Sequence, residues 1–139
     1  MSQEAAEAFA KALRLLDEAG RVDAEQVPEM VVHTAYYAMY HGARAALLTK
    51  NRNVTTQHQR LPDALRKASS SPGVAEAAAL LRSAYPQRIS ADYDTGFQPD
   101  AALAADALRD ARRFIELCRT EFKLDAAAAP EEKPRGPSS

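Results

Sequence analysis

Ala104, Ala107, Leu108, Ala111, Phe114, Ile115, Cys118 and Phe122 recur at steps of three and four residues. At a helical period they fall within an arc of roughly 120°. Arg109, Arg112, Arg113, Glu116 and Lys123 fall opposite. A segment built this way must bury one face of a helix against something else. The same period runs through Ala6, Phe9, Leu13 and Leu16, and again through Val74, Ala77, Ala78, Leu81 and Tyr85. No segment alternates as a half-buried strand would. With 30 alanines and 5 glycines in 139 residues, propensity points the same way. The sequence therefore predicts an all-α chain, an up-and-down bundle of four to five helices joined by short connections.

The first helix is expected over residues 3–19, closed by Gly20. A second should start near Asp23 as N-cap, carry Pro28 in or near its first turn and continue to about Lys50. A connection at Asn51-Arg52-Asn53 leads to a short third helix near His58–Ser69, and Ser71 is a candidate cap for the fourth. Pro86 should bend that helix or end it at Tyr85, because proline lacks the N–H of a helix interior. From Asp125 the chain holds three prolines and no large apolar residue, so residues 125–139 are expected to be a disordered tail, leaving 1–124 as the folded domain.

Charge and cysteine content narrow the class further. The 18 Lys+Arg and 19 Asp+Glu give a net charge of -1, which argues against binding nucleic acid or membranes through bulk electrostatics but leaves room for a local basic patch. Cys118 is the only cysteine, which excludes an internal disulfide and fits a reducing cytoplasm. The N-terminus shows no basic and apolar signal pattern. The longest stretch without Asp, Glu, Lys or Arg, Met30 to Ala43, is shorter than the roughly 18 residues a membrane span requires. A soluble cytoplasmic protein with no membrane contact is expected.

The second helix offers three faces. Val32, Tyr36, Met39, Tyr40, Ala43 and Leu47 form a core stripe. Ala35, Ala38, Gly42, Ala45 and Ala46 form a small-residue stripe that permits close approach of another helix, either within the bundle or from a second subunit. His33, Tyr37, His41, Arg44 and Leu48 form the third. His33 and His41 stand about 12 Å apart along the axis, too far to share one metal ion, so no metal and no cofactor are expected. The plain reading makes both histidines hydrogen-bonded residues at the core edge. In the functional one, His41 and Arg44 share a crevice in which imidazole and guanidinium hold a phosphate. Further along, Arg88, Asp92 and Tyr93 bring a cation, a carboxylate and a phenol into one short stretch, with Arg88 and Asp92 at ion-pair spacing if helical.

Two of these segments resemble a known family. His33-Thr-Ala-Tyr-Tyr-Ala-Met-Tyr-His-Gly-Ala-Arg-Ala-Ala-Leu-Leu48 resembles the AYYAMFHAARALL helix of the HEPN domain superfamily, and Arg88-x-x-Ala91-Asp92-Tyr93-Asp94 resembles the RxxADYD element of one branch. The resemblance spans about residues 5 to 122. It implies a helical bundle, usually a homodimer, often paired with a minimal nucleotidyltransferase in a toxin-antitoxin system. Many such proteins are metal-independent ribonucleases in which an arginine steadies the phosphate and a nearby histidine activates the ribose hydroxyl. Here Arg88 takes the arginine position, while Tyr93 and Asp94 stand where the histidine would fall. Tyrosine, with a pKa near 10, is a poor base at neutral pH.

The expected function is therefore a module that binds a nucleotide or RNA phosphate through Arg44, Arg88, Asp92 and Tyr93. The alternatives are a toxin endoribonuclease, with Arg88 and His41 (or His58) as candidate catalytic residues, and an oligomeric scaffold without a small ligand. The pair Arg52-x5-His58 fits the Arg-x4-6-His spacing of the ribonucleases that the chain resembles, but His58 is read as a cap or surface contact. Tyr93 is a candidate for nucleotidylation by the partner enzyme.

Overall fold

The computed structural model describes residues 1–52 and 54–128. Five α-helices follow one another: α1 (Gln3–Arg21), α2 (Pro28–Thr49), α3 (Leu61–Ala68), α4 (Pro72–Tyr93) and α5 (Ala101–Phe122). No strand occurs among the described residues. The starts follow from local chemistry. Ser2 caps α1 by accepting from the Ala5 amide, Ser71 caps α4 through the Val74 amide, and Asp100 caps α5 through the Leu103 amide.

The second helix begins four residues later than expected, with Val27 as its N-cap. Asp23 caps a turn instead, its carboxylate accepting from the amides of Glu25 and Gln26 while its carbonyl accepts from Val27. Pro28 then fixes the first helical residue and keeps Val27 out of the helical region, at φ -137° and ψ 62°. The expected third helix divides in two, a 3-10 turn at His58–Arg60 and then α3.

Pro86 does not end α4 at Tyr85, and the helix runs on to Tyr93. Proline in a helix interior costs about 3 kcal/mol through its lost hydrogen bond and ring clash. Pro86 lies on the exposed side, where water can satisfy the freed carbonyl, and the following two turns dock on α2 through Arg88 and Asp92. That continuation sets the direction of Arg88.

The helix α2 runs through the middle of the bundle, touching α1, α3, α4 and α5. Side-chain contacts fix its neighbours as antiparallel: Glu4 with Arg44 for α1, and His33 with Asp92 for α4. The outer helices α4 and α5 are clasped by Arg113 on Glu76 and by the Ser71 hydroxyl on Glu121. The core joins Phe9, Tyr36, Met39, Leu47, Leu61, Leu65, Leu81, Phe114 and Cys118, all fully buried.

The small-residue stripe of α2 is used within the chain, since a Cβ on Gly42 would lie 2.7 Å from Ile115 Cδ1 and 3.3 Å from Phe114 Cε1 of α5. Leu124 is buried, and residues Ala126–Ala128, at the start of the stretch read as a tail, form a 3-10 turn against α1. The remainder of that expectation, residues 129–139, lies outside the described residues. No described helix is long and apolar enough to cross a membrane.

Candidate functional site

Where α2 and α4 cross, side chains from three elements converge on Arg88. Tyr36, Tyr37 and Tyr40 come from adjacent turns of α2, Tyr85 and Arg88 are one turn apart on α4, and His58 enters from the 3-10 turn. The Arg88 guanidinium carbon lies 5.3 Å from the Tyr36 ring centre and 5.5 Å from those of Tyr37 and Tyr85. Ring faces are electron-rich, so each attracts the cation. The arginine side chain is only 8% exposed.

Its hydrogen bonding is incomplete. Nη1 donates to Asp92 Oδ2 at 3.3 Å, one turn further along α4, while Nε is buried with no partner among the described residues. The same carboxylate lies 2.9 Å from Nδ1 of His33, so Asp92 is shared between a buried cation and a half-exposed imidazole. A carboxylate accepts, so His33 carries a proton on Nδ1 and presents Nε2 away from Asp92. The His33 ring leans on Tyr37 at 4.8 Å.

On the other side of Arg88, His58 Nδ1 lies 2.5 Å from the Tyr36 hydroxyl. Burial pushes the Tyr36 phenol well above its ordinary range, so it stays protonated and donates to His58. Burial, and then the charge of Arg88, lowers the affinity of His58 for a second proton. The neutral ring therefore accepts at Nδ1 and carries its hydrogen on Nε2. It is stacked near the Tyr40 ring at 4.7 Å and the Tyr85 ring at 5.8 Å.

The residues singled out from sequence divide between two places. Arg88 and Asp92 are paired as their spacing predicts, and Tyr93, the last residue of α4, is 73% exposed. His41 and Arg44 face α1 instead of sharing a crevice with Arg88. Arg44 pairs with Glu4 at 3.5 Å. His41 is pulled down to about 4 by burial first and then by Lys11, Arg44 and Arg14, so it is uncharged at neutral pH. The physical cause is the turn of α2, which sends His41 around towards α1 while Tyr36 and Tyr37 meet α4.

His58 is neither a cap nor a surface contact: Gln57 occupies the cap position, and the ring is half-buried among tyrosines. Arg52 does not join it, donating instead to the Lys67 carbonyl near the end of α3. The sequence reading missed His33 and the tyrosine ring as parts of one site. The available signal was Tyr85 three residues before Arg88, with Tyr36, Tyr37 and Tyr40 facing the same neighbour.

Chemically, the arrangement is a cation with spare donors, walled by aromatic faces and flanked by two imidazoles that can each present an Nε2. Among the described residues no group of three or more His, Cys, Asp or Glu side chains is placed to hold a metal ion. Compared with known proteins, the chain matches the family profile described as HEPN domain over residues 4–121. No curated protein matches it.

Proposed function

The chain belongs to the HEPN domain family, and from that premise we propose that the Arg88 centre binds a phosphate of a nucleotide or of RNA. The observation that carries this reading is the buried guanidinium with an unpartnered Nε and a single long bond to a carboxylate shared with His33. A buried donor left unmade costs about 1–3 kcal/mol, an arrangement with no structural return. A phosphate oxygen offers what is missing. It can compete for Arg88 while Asp92 keeps His33, and charge-assisted bonds to an anion are among the strongest available to a guanidinium. Nε2–H of His58 adds a donor, and the half-buried Tyr37, Tyr40 and Tyr85 rings offer aromatic surface to a base beside it.

The module would act as a homodimer partnered by a minimal nucleotidyltransferase in a toxin-antitoxin pair, in the reducing cytoplasm. Tyr93, whose phenol stands exposed beside the site, is the residue such an enzyme could reach; an unmodified Tyr93 by mass spectrometry after co-expression would remove that part. Calorimetric titration with ATP and with short RNAs tests the binding itself. Heat at low salt that disappears in Arg88→Ala is expected, and equal heat in the variant overturns the reading.

A ribonuclease reading has one observation in its favour. His33, oriented by Asp92, could use Nε2 as a general base next to a phosphate on Arg88. His58 is a poorer base, because its free lone pair is already engaged by the Tyr36 hydroxyl. Incubation with RNA in EDTA separates the two readings. Cleavage lost in both Arg88→Ala and His33→Gln supports the enzyme, and intact RNA at high protein concentration supports binding alone.

A further inference from the structure

We infer that the groove between the end of α2 and α3 is a second phosphate-binding surface, which holds a single-stranded RNA as it runs on from the Arg88 centre. This rests on the ligand reading above. A cavity of about 630 Å³ opens here, lined by Leu47, Arg52, Thr55, Arg60, Asp63 and Lys67 among others.

Charge is concentrated in this part of the chain. Residues 50–71 hold Lys50, Arg52, Arg60, Arg66 and Lys67 against Asp63 alone, a net +4 in a chain of net -1, so the rest carries -5. The one carboxylate is already engaged, since Asp63 pairs with Arg82 of α4 at 3.1 Å. Arg52 keeps its charge while donating to a backbone carbonyl. Arg60 and Lys67 are exposed and have no ion-pair partner among the described residues. Three cations therefore line a cavity whose only anion is neutralised from outside it, and a polyanion would find no competing partner.

Position selects the kind of polyanion. Arg60 lies in the same 3-10 turn as His58, whose ring stacks with Tyr40. Leu47, in the groove, is seven residues beyond Tyr40 on α2, about 10 Å along the axis. The cations thus continue directly from a platform of rings. Cations along a backbone track beside aromatic faces are the requirements of a single strand, whose phosphates and bases need both. An acidic peptide would use the first and have no use for the second.

The test is fluorescence anisotropy on the full chain at several salt concentrations, using labelled oligouridine RNAs, a dinucleotide and one of about 12 nucleotides. Wild type should gain affinity with length. Arg60→Gln/Lys67→Gln should lose that gain, about tenfold on the longer RNA, and flatten its salt dependence by about 1.4 in log–log slope, as expected for two lost single-strand phosphate contacts. Dinucleotide binding should be unchanged. Arg112→Gln/Arg119→Gln, an equal charge loss on the exposed face of α5, should change neither.

The groove assignment is overturned, with the Arg88 reading left standing, if the dinucleotide binds but length adds nothing, if the groove variant keeps the affinity and slope of wild type, or if the α5 variant loses as much. Loss of dinucleotide binding in the groove variant also overturns it, since the surface would then not be separate from the Arg88 centre. Displacement of the longer RNA by a polyglutamate peptide at equal charge concentration overturns the assignment to RNA. Failure of wild type to bind either RNA overturns the groove assignment, and failure to bind ATP as well overturns the Arg88 reading with it.

Discussion

Replacing Arg88 with methionine separates a residue kept for its ligand from one kept for the fold. Burying a guanidinium costs several kcal/mol even after relaxation, and the unpartnered Nε adds about 1–3 kcal/mol. Against this stand the bond to Asp92, about 1.5–3 kcal/mol for a charged partner, and three ring contacts of about 0.5–2 kcal/mol each. The bond is long at 3.3 Å and the carboxylate 19% exposed, which favours the lower end of its range. The contributions nearly cancel. Methionine fills similar space among the rings without desolvating a charge, and Asp92 keeps His33.

Arg88→Met should therefore change unfolding free energy by no more than about 1 kcal/mol, a Tm shift within about 4 °C, while phosphate binding is lost. Asp92→Asn leaves the cation buried without its anion and should cost about 3 kcal/mol, the low end for a buried pair because the carboxylate is partly exposed. Urea denaturation followed by circular dichroism, with binding measured on the same samples, reads both. A loss beyond about 3 kcal/mol in Arg88→Met would make the arginine structural, and retained binding would remove it from the ligand site.

Two further perturbations test the frame around the site. His41 is held near 4 against an ordinary 6.5, so the unfolded chain takes up its proton first as pH falls. Stability from this ring is present above pH 6.5 and is lost between 6.5 and about 4. The shift at face value is about 3 kcal/mol; screening of a half-exposed ring leaves on the order of 1 kcal/mol. His41→Asn should flatten the stability profile in that window, and an unchanged slope would disprove the assignment. Gly42→Ala gains up to about 1 kcal/mol of helix propensity but forces a methyl against Ile115 and Phe114. A net loss of about 1 kcal/mol in thermal unfolding is expected, since overpacking typically costs about 1–3 kcal/mol; a stabilised variant would show that α2 and α5 are not in close contact there.

The helices were legible in the sequence because burial of one face leaves a period, as in α5, where Ala104, Ala111, Phe114, Ile115 and Cys118 are all buried. The Arg88–Asp92 pair was legible for the same reason, being one helical turn apart. What the period does not carry is the register of one helix against another. His33 and Asp92 are 59 residues apart, and only the antiparallel crossing of α2 and α4 brings them together. That crossing depends on α4 continuing past Pro86, which a local rule forbids and tertiary docking permits. His58 was misread because a histidine after a loop gives no local sign of the ring cluster it enters.

The Arg88 guanidinium has a vacant donor at Nε, which the phosphate is to fill. Its Nε–Hε resonance, assigned in a 1H–15N spectrum by its disappearance in Arg88→Met, reports on that donor directly. On adding a mononucleotide the cross-peak should move, in parallel with the imidazole signals of His33 and His58. A cross-peak that stays in place while nucleotide binds elsewhere would contradict the claim.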